Sequence, residues 1–548
     1  MTTRLYIIVA LATLLAPSTL LGRNRLRTID DLNNTPHALN SHAGVEQFSS
    51  LEADRTSYRL ISKEELNISG TPTYSRIKRL NNGEWLLLFQ GHKIGSYIYY
   101  CISKDLKEWS YRKALFTPYP VTHSQGEDQR RFSTADAVVL QNGDIIVVCS
   151  YRANKGYRKS IDCGIMMRRS SDNGATWSNE EIIYKGTNWE PYLLLLPDGR
   201  IQCYFTDCNP ATRNSGTSII TSSDNGKSWS EKQIVCRQHR CTLDNGTRIY
   251  SDQMPSFRLL NDGKTLLGFL EANTSNLATG EKSHYRMSVI RQHGVDWTPL
   301  TGDEVGPSDR DSNIIRGAGG YVETFPSGET ILSCNIHSRF SLKVGNHTGT
   351  EFNGQAWDKD WLRPLPKGGY WGSTERIDSH RILATMHCKE GIQIITLHLN
   401  HRITAPRKSV KIDGKSHEWQ HDEALFIGSD SPSQMVLRAA HDKENLYLLL
   451  ECNNKDSAVK LRIGELPQLH ISTKGYKGDG IRVKCRKAES DKKERGFIAE
   501  VAVPLEKIAT ERDGDIALWA ALIGNDSQDS FSHSSELNRT TWQRIAIE

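Results

Sequence analysis

Residues 140–149 read LQNGDIIVVC: a hydrophobic residue, two turn formers, a glycine, and then an apolar run. The phrase recurs at 80–89 (LNNGEWLLLF), 196–205 (LPDGRIQCYF), 260–269 (LNDGKTLLGF) and 325–334 (FPSGETILSC). A degenerate copy at 377–388 reads IDSHRILATMHC, with His380 in the glycine position. Asn-Gly or Asp-Gly between β-rich runs is the strongest short-range sign of a tight hairpin. The turn positions 83, 143, 199, 263, 328 and 380 are 60, 56, 64, 65 and 52 residues apart. Six hairpins at that spacing predict an all-β fold, a six-bladed β-propeller with about four strands per blade. Units of about 60 residues are short for a string of separate β-sandwiches, and radial closure leaves few strand edges exposed.

A second repeat runs through the same region. Ser170, Asp172, Gly174 and Trp177 follow the pattern S-x-D-x-G-x-x-W, and Ser222, Asp224, Gly226 and Trp229 repeat it. Ser103, Asp105 and Trp109 form a shortened copy. The logic of the motif is structural: Asp caps turn amides, Gly takes a positive φ and Trp packs over the hairpin. These repeats resemble the Asp boxes of the sialidase-like superfamily, a resemblance that covers roughly Tyr58 to Leu399. Asp172 and Asp224 therefore read as fold residues, with no catalytic part.

The 548 residues hold 69 Lys and Arg against 64 Asp and Glu, a formal charge of +5, too small for a nucleic-acid coat. Eleven cysteines without a CxxC pair disfavour a zinc ribbon or a thioredoxin-like site. Six residues beyond the turn glycines stand Phe89, Cys149, Phe205, Phe269 and Cys334, so cysteine shares a slot with Phe and reads as core. Cys203 with Cys208, and Cys236 with Cys241, are close enough in sequence to pair, although spacing alone does not establish a disulfide. The chain opens with one Arg and an apolar run from Leu5 to Ala16, too short for a membrane span and shaped like a secretory signal. Its cleavage site at Leu20-Leu21-Gly22 is imperfect, and no Cys follows that would take a lipid. The expected organisation is a signal peptide at 1–22, an N-terminal extension at 23–55, the propeller at 56–402, a linker at 403–408 and a β-sandwich at 409–548. A secreted or periplasmic protein follows.

Register locates the chemistry. Hairpin turns mark one face of a propeller, so residues far from the turn lie at the opposite mouth of the channel. Glu190 stands nine residues before Gly199 and Glu271 eight after Gly263, which places both at one end on successive blades. Asp207, eight after Gly199, is expected beside Glu190. Two carboxylates at a channel mouth suit glycosidic-bond cleavage, one as acid and one as nucleophile or base. A salt-bridged rim residue is the competing reading for each. Further rim candidates for sugar contacts are Arg76, Asp136, Tyr151, Arg152, Asp252, Gln253, Arg316, His337, Tyr370 and Trp371, with Trp189 the preferred stacking residue.

The stretches WEPYLLLLPDGRIQCYFTD (189–207) and DQMPSFRLLNDGKTLLGFLEA (252–272) resemble glycoside hydrolase family 93, the exo-arabinanases. That resemblance implies an acid/base role for Glu190, a nucleophile role for Glu271 and an arabinan-type substrate. A sialidase is the alternative: it needs three arginines, for which Arg76, Arg152 and Arg316 are the candidates, and a tyrosine nucleophile, for which Tyr370 is, with Glu271 activating it. A glycan-binding propeller without turnover is a third reading. After His401 the text changes to short β runs, MVLRAAH, NLYLLLEC, FIAEVAVP and IALWAALIG, which resemble the family 9 carbohydrate-binding module. Trp419, Tyr447 and Trp519 there are either ligand-stacking or core aromatics. The expected partner is an oligo- or polysaccharide, bound by a monomer without nucleic acid, membrane span, cofactor or metal.

Overall fold

The structure is a computed structural model. It describes residues 49–547 except 92–95, 156–159, 210–213, 237–240, 243–246, 277–281, 301–308, 351–360, 420–422, 429–432, 478–479, 491–492, 512–513, 525–527 and 532–533. The leader expected at 1–22 lies outside them.

Each glycine-marked phrase closes a hairpin as expected. At the second turn, Gly143 N–H donates to Leu140 O (2.9 Å) and Leu140 N–H to Asp144 O (2.8 Å). Gly143 takes φ +92, a region that costs glycine nothing and an L side chain strain. In the glycine-free sixth copy, the Asp378 carboxylate caps the amides of His380 (2.9 Å) and Arg381 (2.8 Å). The fourth turn is one residue longer, since Leu260 N–H reaches Thr265 O instead of residue 264. That extra residue matters at the site.

Among the described residues, six antiparallel sheets occupy 50–400. Their innermost strands are Thr73–Arg79, Gly126–Val139, Asn188–Leu195, Thr247–Leu259, Ala318–Thr324 and Ser373–Arg376. Each of these packs on the next, and the last packs on the first, so the sheets form the closed ring of a β-propeller. Strand Ser50–Ser62 completes the sixth sheet by pairing with Gly391–Asn400, tying the start of the ring to its end. The extension expected to reach residue 55 is therefore a propeller strand from Ser50 on, because its apolar residues Leu51 and Ala53 are buried against that sheet. The Asp boxes behave as the sequence implies. Asp172 accepts from Thr176 N–H (2.9 Å) and Thr176 Oγ1 (2.5 Å), and these bonds hold its carboxyl down to about 2. Trp177 lies edge-on to Tyr100 of the preceding sheet at 5.5 Å.

Phe89, Cys149, Phe205, Phe269 and Cys334 are all buried, and burial pushes the Cys149 and Cys334 thiols up, as core residues require. The longer fourth turn makes Leu270, not Phe269, the true counterpart of Phe89. Cys203 is a buried free thiol, so it is not bonded to Cys208. The Cys241 side chain lies outside the described residues.

Residues 403–547 form two sheets around one core, in which Leu425, Leu437, Leu448 and Val501 meet Leu461, Leu518 and Ile545. The segment expected as a linker begins with strand Ile403–Ala405, which pairs in parallel with Gln543–Ile547. It is held because Ile403 and Ala405 are fully buried. Trp419, Tyr447 and Trp519 are core aromatics: all three are buried, and Trp419 Nε1 donates to the buried Glu500 (3.0 Å). The sandwich docks on the sixth sheet through paired bonds between the Asn400 side chain and the Phe426 backbone (2.7 and 2.8 Å), with His398 stacked on Phe426 at 4.4 Å. Among the described residues, no helix is long and apolar enough to cross a membrane.

Candidate active site

Six equivalent residues, each nine before its turn position, share a backbone anomaly. Tyr74, Thr134, Glu190, Met254, Gly319 and Trp371 have φ of +57, +53, +44, +50, +64 and +51. In the first five sheets this residue sits in a bulge, where three steps on the inner strand oppose two on its partner. Left-handed backbone at five non-glycine residues stores about 1–3 kcal/mol each and persists only where the surroundings hold it. The holding groups are visible. Gln90 Oε1 accepts from Thr134 N–H (3.0 Å), Thr206 Oγ1 from Met254 N–H (2.7 Å), and Glu271 Oε2 from Gly319 N–H (3.1 Å). Each comes from the second strand of the preceding sheet. The bulges thus form a collar around one mouth of the channel, with neighbours in contact: a Cβ on Gly319 would meet Trp371 Cδ1 at 3.3 Å and Met254 Cε at 3.5 Å.

Below the collar the channel is filled. Tyr321 stacks edge-on with Tyr192 (5.5 Å), lies 4.9 Å from the Arg76 guanidinium and donates to Asp136 (3.3 Å). Tyr74, Arg76, Glu190, Pro191, Tyr192, Met254, Pro255, Gly320 and Tyr321 line a cavity at this mouth.

Glu190 is the carboxyl of that cavity wall. Its Oε2 accepts from Thr206 Oγ1 at 2.7 Å. Burial, reinforced by the Glu271 charge, pushes its carboxyl up to about 7, against the pull of Thr206, Arg152 and Arg76. Glu271 is only 6% exposed, and both its oxygens are engaged, Oε1 by Gln253 Nε2 (2.9 Å) and Oε2 by Gly319 N–H. Burial raises its carboxyl too, but two donors oppose that shift. It is not part of the cavity wall. The two glutamates are linked through one short path: Glu190 to Thr206, Thr206 to Met254, and Gln253, next to Met254, to Glu271.

The other candidates separate by register. Asp207 faces Asn188, whereas Thr206 faces Trp189 beside Glu190. Asp207 instead accepts from Ser218 (2.9 Å) and pairs with Lys232 (2.8 Å). The expectation that it stands by Glu190 fails because this hairpin pairs symmetrically about Asp198, so a count taken from Gly199 overshoots by one residue. The same count reaches Glu271 correctly only because the fourth turn holds an extra residue, and a one-residue slip sends a strand side chain to the opposite face. Tyr151 fails for the same reason. It lies eight after Gly143, is buried, and packs under Arg130 at 4.7 Å. Asp252 is buried in a bidentate pair with Arg310 (2.7 and 3.1 Å), and Asp136 is taken by Leu193 N–H (2.9 Å), so neither carboxylate faces a ligand. Arg76 does line the cavity but donates to the Ser75 and Trp371 carbonyls (2.8 and 3.0 Å) beneath the Tyr74 ring. Arg152 covers one face of Trp189 at 3.4 Å, which takes that face from sugar stacking. Trp371 belongs to the collar, and the exposed Tyr370 accepts from Ser338 Oγ (2.6 Å). His337 is exposed in the turn between Thr330–Ile336 and Arg339–Gly345. Arg316 is exposed on the edge strand of sheet four, and of the three candidate arginines Arg76 lines the cavity while Arg152 and Arg316 do not. Thr206, Tyr74 and Tyr321 were missed. Counting from the paired ends Leu196 and Arg200, instead of from Gly199, would have found Thr206.

Residues 77–247 match the family model of the BNR repeat-like domain. The match covers the sheets that carry the Asp boxes and Glu190. No curated protein matches the chain. Among solved structures it is similar to a protein of unknown function from Dyadobacter fermentans, at 15% identity over 64% of this chain and 99% of that one, with a TM-score of 0.45. It is also similar to the GH93 alpha-L-arabinofuranosidase of Fusarium graminearum, at 16% identity over 63% and 96%, with a TM-score of 0.43. A family 9 carbohydrate-binding module from Caldicellulosiruptor kristjanssonii is similar at 14% identity over 27% and 95%, with a TM-score of 0.23.

Proposed function

We propose that the protein is an exported glycoside hydrolase that cleaves arabinan-type or related glycans from the chain end, with retention at the anomeric carbon. The observation that carries this reading is Glu190: a carboxyl in a cavity wall, on a strained bulge, raised to about 7 by burial and by a second glutamate. A group poised near neutrality can both give and take a proton. In the first step Glu190 protonates the glycosidic oxygen, the C–O bond breaks with its electron pair leaving on that oxygen, and a Glu271 oxygen bonds to the anomeric carbon. In the second, Glu190 takes a proton from water, whose oxygen displaces Glu271. Gln253 and Gly319 orient Glu271 and favour its ionised form, which suits a nucleophile. The Trp-Glu-Pro motif and the glutamate on the next sheet support the arabinan-type substrate, while Tyr74, Tyr370 and Trp371 offer aromatic surface for a sugar at the mouth.

A purely structural role for Glu271 competes, because its bond to Gly319 N–H repeats what Gln90 and Thr206 do in other sheets. The test is to incubate the protein with arabinan, sialylated glycans and pectic fragments and follow released sugar by NMR. Sugar from the first with its starting anomeric configuration supports the proposal. Inversion removes the covalent step, release only from sialylated glycans replaces the substrate, and no release with retained glycan binding leaves a lectin.

A further inference from the structure

We infer that Thr206 is a positioning residue that decides which oxygen of Glu190 carries the transferable proton. The inference rests on the acid/base role proposed for Glu190. Thr206 is 2% exposed, and its hydroxyl makes two bonds of 2.7 Å, one to Met254 N and one to Glu190 Oε2. The Met254 amide can only donate, so the hydroxyl oxygen accepts there. The hydroxyl has one hydrogen, and it goes to Glu190 Oε2. In a neutral carboxyl the carbonyl oxygen is the stronger acceptor, so the hydroxyl's bond favours Oε2 as the carbonyl and places the acidic proton on Oε1.

The equivalent positions show why this residue type is needed. Gln90 and Glu271 stand in the same slot and accept the same collar amide from the next sheet. Both do so through oxygens that carry no hydrogen. The Thr206 hydroxyl accepts from the collar and passes a hydrogen on through one and the same oxygen, which converts a structural clamp into a proton-directing device. The bond also favours the ionised form of Glu190, acting with Arg152 from Ile145–Ala153 and Arg76 from Thr73–Arg79 and against Glu271 from Thr265–Asn276.

The experiment compares Thr206→Val, Thr206→Ala and Thr206→Ser in the full chain, with Glu190→Gln in parallel, on the glycan the wild type hydrolyses. The readouts are the pH profile of kcat/KM and a 13C NMR titration of the Glu190 carboxyl. Thr206→Val and Thr206→Ala should move the alkaline limb and the carboxyl titration upward by about half a unit to one unit and lower kcat about tenfold, with KM little changed. Thr206→Ser should restore all three. Wild-type profiles in folded Thr206→Ala overturn the inference, as does a Thr206→Ser variant no better than Thr206→Ala. If Glu190→Gln retains full turnover, the acid/base reading itself falls. If it loses turnover while Thr206→Ala titrates as wild type, only the role of Thr206 falls.

Discussion

Replacing Glu190 by Gln should stabilise the protein at alkaline pH while abolishing its chemistry. The Glu190 carboxyl is raised from 4.5 to about 7, mainly by burial. At about 1.36 kcal/mol per unit this amounts to roughly 3 kcal/mol of differential cost for the ionised form. The sign follows from proton counting. Between those two values the folded protein holds a proton that the unfolded chain has released, so stability falls as pH rises through the window. Gln mimics the protonated acid at every pH and still offers an oxygen to Thr206. Because the carboxyl is partly open to the cavity, solvent screening trims the gain to about 1–3 kcal/mol at pH 8, with almost none at pH 4. For a propeller of roughly 350 residues that is about 1–4 °C in Tm. Scanning calorimetry of wild type and Glu190→Gln at both pH values reads the difference directly. Activity at pH 6 should fall by about 10²–10⁴. A Tm offset that is equal at the two pH values, or negative at pH 8, refutes the buried-acid argument, and full activity refutes the role.

Glu271→Ala should lose hydrolysis, and azide should restore turnover with a product of opposite anomeric configuration; it should also lose about 1–3 kcal/mol in urea denaturation, since Gly319 N–H loses its acceptor, whereas Glu271→Gln should keep most of that stability. Asp252→Asn removes the charge that neutralises the buried Arg310 guanidinium and should cost about 3 kcal/mol, with kcat/KM of the folded enzyme little changed. An unchanged denaturation midpoint with a raised KM would return Asp252 to the list of sugar contacts. Glu500→Ala removes the acceptor of Trp419 Nε1 and of the Asp413 and Gly414 amides, and should destabilise the sandwich by about 3 kcal/mol, seen in tryptophan fluorescence. Hydrolysis of a short soluble substrate should persist.

The hairpins, the all-β class and the Asp boxes were legible because they depend on residues within a few positions of one another. A glycine at φ +92 after Leu140, or an Asp172 carboxylate bonded to Thr176 four residues on, needs no partner from elsewhere in the chain. The same reasoning reached Glu190 and Glu271, since strand register carries a turn's position out to the strand's far end. Asp207 and Tyr151 face away because their hairpins pair about the residue before the glycine, so a count from the glycine is one residue out, and one residue reverses a side chain.

Sequence alone therefore determined that the chain makes repeated hairpins and that glutamates on successive sheets lie toward the same end. Only the tertiary structure decided which polar groups are already spent: Arg310 reaches Asp252 across 58 residues, and Leu193 takes Asp136 across 57. It also decided that Thr206 bridges the collar to Glu190. Those choices depend on distances between strands far apart in the chain, within the fourth sheet for Arg310 and between sheets for Leu193 and Thr206, and such distances exist only once the ring has closed and its burial energy holds strained backbone in place.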